Sequence, residues 1–392
     1  MGQLSVRRHE HPLETEVVPG YTQLVTVCVT GATGFIGGHL ARLYSDRGEV
    51  VRATYRSDKR LDRLASLDVE PVRADVLDRA AMRRAMRGCD LVFHTAGMVG
   101  ATPVDRVWRV NALAPRLAVE AAAAEGVSRV VLTGSVAGIG PVAPGEIGDE
   151  EQVYRGGPLN LTYADTKHEG EAEGLAAGAR LGVDVVSVNP SYVLGPPVDP
   201  AFRGETSTRT IANYLRGRLP AVVDGEVDIV DVRDVAAGHA AAAEHGRAGE
   251  RYVLGGHGIR WVELLERVAS LSEVHHPLLV IPPELAGAAR LAEQLGLPGL
   301  ISAEALVLMG QNWRYSSAKA RRELRFRARS LDSTLRDTIA WCRDLQSSGS
   351  LLDPPSPLSL AAGGVQIAHR ARLLSGLKLA ERWSGRQLIS GG

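Results

Sequence analysis

The chain has 392 residues, and its 45 lysines and arginines are balanced by 45 aspartates and glutamates. That length allows one large domain or two joined ones with a sizeable core, and the balanced charge argues against nucleic acid or another anionic polymer as the main partner. Three well-separated cysteines, Cys28, Cys89 and Cys342, make neither a disulfide framework nor a metal-ligand spacing, so no metal is expected and a reducing, cytoplasmic setting fits.

Residues 1–23 are polar and aperiodic, without the continuous apolar core of a signal peptide, and read as an N-terminal extension. From Leu24 short apolar runs alternate with helical stretches. LVTVCVT precedes FIGGHLARLYSDRG, VVRATYR precedes a helical RLDRLASL, and VEPVRADV precedes the helix LDRAAMRRAMRG. CDLVFHTAG, the helix ALAPRLAVEAAAAEG, VSRVVLTGSV, a helix near 164–181 and VDVVSVNPSYV continue the series. Strands alternating with long helices predict a parallel sheet covered on both faces. About six strands before residue 195 suit a doubly wound α/β domain of the Rossmann type over 24–195.

After Gly195 the regularity weakens. The helical stretches TRTIANYLRGR, VRDVAAGHAAAAEHG, RWVELLERVASL and PPELAGAARLAEQLG mix with short strands, AVVDG and ERYVLGG. This reads as a smaller C-terminal substrate-binding cap over 196–345, with some return to the sheet. Residues 346–392 read as linker and tail. No apolar stretch reaches the roughly eighteen residues of a transmembrane helix. The tail carries Arg370, Arg372, Lys378, Arg382 and Arg386 against Glu381, with Ile367, Leu374 and Leu377 at helical spacing. A disordered tail, peripheral membrane contact and docking on a partner or on the enzyme body all stay open. The tail is expected to be dispensable for catalysis, because no candidate site residue lies beyond Val193.

The first strand runs into GATGFIG, with Gly31, Gly34 and Gly37 at a three-residue spacing. Between a strand and a helix, the first glycine permits a tight turn, the second a close approach to a pyrophosphate, and the third close helix–strand packing. The helix N-terminus then faces the anion; a turn serving packing alone is the bland alternative. An acidic residue at the end of the second strand would favour NAD. Arg56 stands there instead, followed by Lys59 and Arg60, and cations suit the 2′-phosphate of NADP; the alternative is a solvated surface charge. Asp75 closes the third strand, where it can meet adenine or simply cap the next helix.

YADTK places Tyr163 and Lys167 one helical turn apart. A lysine cation favours the phenolate, which suits a tyrosine for moving a proton to or from a substrate oxygen. Ser135, at the end of the fifth strand, can hold the same oxygen.

With TGATGFIG, the aspartate of RADV, FHTAG, TGSVAG, YADTK and NPSYVLGP in this order, the chain resembles the extended short-chain dehydrogenases/reductases, the NAD-dependent epimerase/dehydratase family, from about Leu24 to Leu345. The resemblance implies Ser135, Tyr163 and Lys167 as catalytic residues. It also implies a dinucleotide site made of Gly31, Thr33, Gly34, Phe35, Ile36, Gly37, Arg56, Asp75, Val76, Thr95, Ala96 and Gly97, with Tyr163, Lys167, Pro190, Ser191 and Val193 around the nicotinamide. Asn111 matches a frequent family asparagine and is read as structural. Gly134 departs from the family, which more often has a second serine or threonine there.

NPSYVLGP is similar to dihydroflavonol-4-reductase-like and 3β-hydroxysteroid-dehydrogenase-like enzymes. The stretch from YLRGRLPAVVDG to ERYVLGG is similar to hopanoid-associated proteins often labelled sugar epimerases. The expected activity is NADP(H)-dependent reduction of a ketone, or oxidation of a secondary alcohol, on a fairly apolar small molecule, by a monomer or homodimer. The alternatives are a nucleotide-sugar epimerase or dehydratase holding NAD, which Arg203, Arg209, Arg216 and Arg218 keep open, and a non-catalytic dinucleotide-binding regulator.

Overall fold

The computed structural model describes residues 25–199, 207–295, 302–350 and 356–390. The N-terminal extension and Arg203 lie outside them.

The β-branched run TVCVT forms β1 (Thr26–Thr30), and the glycine loop leads into α1 (Phe35–Asp46). β2 (Val50–Tyr55), β3 (Glu70–Arg73), α2 (Arg79–Met86) and β4 (Leu91–His94) follow. α3 (Val104–Trp108) passes through a single π-turn, Arg109–Leu113, into α4 (Ala114–Ala124). Then come β5 (Arg129–Thr133), α5 (Thr162–Leu181), β6 (Asp184–Pro190) and β7 (Tyr192–Leu194). α6 (Ser207–Leu215), β8 (Ala221–Val223), β9 (Glu226–Asp231) and α7 (Val232–His245) lead to β10 (Arg251–Leu254).

The large sheet has seven strands in the order β10-β6-β5-β4-β1-β2-β3, every neighbouring pair parallel. The order reverses direction at β1 and β4, which opens the crevice where doubly wound sheets bind their ligands. One apolar layer packs residues of α1, α7 and the end of the chain's α11 (Ala318–Glu323) on one face; the other packs α2, α4 and α5 on the opposite face. α2 shows how sequence makes this layer. Ala81, Met82, Ala85 and Met86 form its buried stripe while Arg83 and Arg84 complement the dipole of its last turn. Asp78 caps it, accepting the N–H groups of Ala80 and Ala81 at 3.0 Å. Burying each methionine is worth roughly 1.5–3 kcal/mol, and the cap about 1 kcal/mol.

The remaining elements are β11 (His257–Arg260), α8 (Trp261–Ser272), β12 (Leu278–Ile281), α9 (Ala286–Gln294), α10 (Ala303–Met309), α12 (Leu331–Ser347), α13 (Pro357–Arg370), α14 (Ser375–Ser384) and β13 (Ile389–Ser390). They build two three-stranded sheets, β11-β9-β7 and β13-β12-β8, around a separate apolar core that includes Ile211, Trp261, Leu265 and Leu335.

One local expectation changes and two open alternatives narrow. RLDRLASL does not make an α-helix: residues Asp58–Leu64 form a 3-10 turn. The helix cap at the end of the third strand is Asp78, while Asp75 accepts the N–H of Leu77 at 3.0 Å. The described tail docks on the enzyme body: β13 pairs with β12, Ala362 is buried, and Gln366 donates to the carbonyl of Gly217 at 2.9 Å.

Candidate active site

Four loops meet at the carboxyl edge of the large sheet. Gly31 has φ +68°, and a Cβ there would come within 2.8 Å of the Ala96 Cα. A Cβ on Gly37 would meet Thr95 Oγ1 at 2.6 Å. Both glycines are therefore demanded by the approach of the loop after β4, and the Thr95 hydroxyl locks that loop by donating to the Thr30 carbonyl at 2.6 Å. Gly34 is the N-cap of α1, with no side chain capping it and no acid in the first turn. The result is a cradle too tight for side chains, ending in a helix N-terminus suited to an anion. The donor set and the steric constraint fit a dinucleotide pyrophosphate.

Arg56 and Asp75 lie past β2 and β3 on the same edge, Arg56 exposed and Asp75 half-buried. One cation escaped the sequence reading: Arg63 Nη1 reaches the Thr33 carbonyl in the glycine loop at 3.2 Å. The dense basic run SDKRLDR was its only local signal.

Tyr163 and Lys167 project from the first two turns of α5. The Lys167 ammonium donates to the Thr133 carbonyl at 2.7 Å, and a Cβ on Gly97 would lie 3.6 Å from Lys167 Nζ. Thus the end of β4, the end of β5 and α5 converge on one amino group. Burial lowers Lys167 to about 8, while Glu171, one turn further along α5, pulls it back up. Burial likewise raises Tyr163, and the neighbouring Ser135 hydroxyl acts in the opposite sense. Ser135 also accepts the N–H of Ala137 at 3.2 Å, which orients its side chain.

Two buried histidines flank the lysine. His94 sits 3.1 Å from Thr30 Oγ1 and is lowered to about 3 by burial and then by Lys167. His239, lowered to about 4 chiefly by burial, lies 2.8 Å from Thr133 Oγ1. Both are neutral near pH 7, so neither competes with Lys167 as a local cation.

Gly134 has a spatial explanation. A Cβ there would lie 2.6 Å from Asn189 Nδ2 and 2.7 Å from Glu171 Oε2. The buried Glu171 carboxylate accepts from the Asn189 amide and meets Arg251 Nη1 at 3.4 Å. This buried cluster was not anticipated, although the i, i+4 spacing of Lys167 and Glu171 was a readable signal. Asn111 ties its neighbourhood together: Oδ1 accepts Met98 N–H at 2.8 Å, and Nδ2 donates to the Met98 carbonyl at 2.9 Å and to Thr166 Oγ1 at 3.2 Å.

Pro190 ends β6, Ser191 donates its N–H to the Leu254 carbonyl at 3.2 Å, and Val193 lies on β7. The Tyr163 ring packs against an apolar cluster that includes Val136, Ile139, Leu161, Val223, Leu306 and Trp313. α10 packs against it, and the N–H groups of Thr162 and Tyr163, which no local side chain caps, face its Glu304 carboxylate and oppose the rise in pKa that burial gives it. Arg209 is exposed on α6, and Arg216 and Arg218 follow it, half-buried. Among the described residues no group of His, Cys, Asp and Glu is arranged to hold a metal ion.

The family model described as NAD dependent epimerase/dehydratase family matches residues 27–255. A dihydroflavonol 4-reductase-like protein of Synechocystis sp. is 33% identical over 325 residues, covering 80% of this chain and 93% of its own. Sterol demethylase protein B of Methylococcus capsulatus is 32% identical, covering 82% of this chain and 99% of its own. A solved nucleoside-diphosphate-sugar epimerase from Pseudomonas aeruginosa is 28% identical with a TM-score of 0.68, covering 83% of this chain and 99% of its own.

Proposed function

The chain belongs to the NAD-dependent epimerase/dehydratase family, and from that premise we propose that it is an NADP(H)-dependent reductase of a ketone on a fairly apolar small molecule, or the reverse secondary-alcohol dehydrogenase. The observation that carries this reading is the apolar wall against the Tyr163 ring. An uncharged, hydrophobic substrate gains by packing against such a wall, whereas a sugar diphosphate would leave its charges and hydroxyls unpaired there.

The dinucleotide, held by the glycine cradle, Thr95 to Gly97 and Arg56, would supply the hydride that the carbonyl carbon receives. The chain's own residues supply the rest. Ser135 donates a hydrogen bond to the carbonyl oxygen and Tyr163 gives it a proton as it becomes an alkoxide. The raised pKa of Tyr163 keeps that proton in place beforehand. Lys167, anchored on the Thr133 carbonyl, holds the ribose and stabilises the phenolate left behind.

The name of the Pseudomonas relative supports a second reading, an epimerase that retains NAD. One experiment separates the two. The purified protein is offered NADPH with a panel of hydrophobic ketones, and separately a panel of nucleotide sugars without added cofactor. Loss of NADPH absorbance with a ketone is the expected result. Tyr163→Phe should lower kcat by about 10²–10⁴ and leave the Kd for NADPH unchanged. Nucleotide-sugar turnover with co-purified NAD, or a near-normal rate for Tyr163→Phe, would overturn the assignment.

A further inference from the structure

A helix docked on a protein body needs no apolar residues on its outward side, but α14 has them. Its half-buried Leu377 and Glu381 form one side, and there Glu381 accepts the N–H groups of Leu388 at 2.7 Å and Ile389 at 2.8 Å. The sole acid between 356 and 390 is thereby engaged internally. On another side Gly376, Leu379, Ala380 and Trp383 recur at i, i+3, i+4 and i+7 and line a shallow apolar groove. Trp383 is 87% exposed. The same exposure continues along α13 and the bend that follows, at Leu360, Ile367 and Leu373, the last 75% exposed.

Cations accompany this apolar surface. Arg370, Arg372, Lys378 and Arg382 are exposed, and among the described residues none of the four forms a side-chain hydrogen bond or an ion pair. Arg386 is engaged, pairing with Glu284 at 2.9 Å. A second copy of the chain is a poor occupant, since a two-fold interface through this patch would set four unpaired cations against the same four. An anionic surface with an apolar interior complements both features, and an exposed tryptophan suits the boundary between headgroups and acyl chains.

We propose that α13 and α14 form the surface by which the protein lies on an anionic phospholipid bilayer, with Trp383, Leu379, Leu373 and Ile367 entering the headgroup–acyl boundary and the four cations meeting lipid phosphates. Among the described residues no helix is long and apolar enough to cross a membrane, so the contact is peripheral. It stands apart from the reductase reading and needs no substrate to test.

Full-length protein is sedimented with vesicles of equimolar phosphatidylglycerol and phosphatidylcholine, and with vesicles of phosphatidylcholine alone. Binding to the anionic vesicles that weakens with added salt, with little binding to the neutral ones, is expected. Leu379→Ser with Trp383→Ser should weaken that binding at least about tenfold, and Lys378→Glu with Arg382→Glu by about tenfold or more. Trp383→Phe, the conservative change, should keep binding but lose most of the blue shift in tryptophan emission. Protein that stays in the supernatant with anionic vesicles, or variants that bind as tightly as wild type, would overturn the proposal. So would a concentration-dependent dimer abolished by the double serine variant in a protein that ignores vesicles.

Discussion

Arg56 is exposed one residue past β2, and among the described residues it makes no hydrogen bond or ion pair, so no internal partner has to be broken for it to meet a phosphate. Charge-assisted hydrogen bonds of this kind are worth about 1.5–3 kcal/mol. Arg56→Ala should therefore weaken NADPH at least about tenfold and spare NADH, read by titration of each cofactor; equal losses for both would show that Arg56 does not read the 2′-phosphate. Lys167 makes a prediction about stability. Its folded value of about 8 lies below its ordinary 10.5. Between those two pH values the unfolded chain keeps a proton that the folded chain has released, so this group makes stability rise with pH there. Below pH 8 the lysine is charged in both states and the burial cost is constant. Lys167→Met removes that cost. Its stability advantage over wild type should shrink by about 3 kcal/mol between pH 7 and 10.5, as measured by urea unfolding at both pH values. An advantage that does not change with pH would mean that Lys167 is not held against desolvation.

Among the elements, β13 is small but placed where its loss matters. It covers the open edge of β12, whose Ile281 also packs on the apolar cluster around Tyr163. The sequence suggests that the tail can be removed after Leu345 without loss of catalysis or cofactor affinity. That cut would clip α12, which runs to Ser347 with Leu345 buried. A cut after Ser350 spares α12 but still bares the β12 edge and exposes surface that Ala362 and Ile389 now cover. Such a truncation should cost roughly 2–4 kcal/mol of stability by loss of apolar burial, seen as a lower Tm. The intrinsic chemistry should survive at low temperature, because the proposed catalytic residues all precede the tail. A Tm equal to that of the full chain would mean that the docked tail contributes nothing to the fold. α5 illustrates the opposite dependence. Its proposed catalytic face was legible as Tyr163-x-x-x-Lys167, yet its N-terminus faces Glu304, more than a hundred residues later in the chain.

At the scale of the whole molecule, the seven-stranded parallel sheet aligns the ends of β1, β2, β3, β4, β5 and β6 along one edge, which is why proposed site residues scattered from Gly31 to Val193 lie along that edge. The sequence by itself determined the features written in short periods and fixed spacings. These are the alternation of strand and helix, the glycine loop, the lysine one turn after the tyrosine, and the cation where an NAD-selecting acid would stand. Each is a property of neighbouring residues, so neighbouring residues suffice to read it. Only the tertiary structure decided that Glu171 and Asn189 fill the space above Gly134, that Glu304 faces the start of α5, that Arg63 reaches the glycine loop, that the expected return to the sheet is made by β10 alongside β6, and that the tail adds a strand to β12 while turning Trp383 outward. These contacts join residues far apart in the chain, and the geometry of every one is set by how whole layers pack. No local period records such a pairing, because its free energy arises only once both partners have been desolvated together.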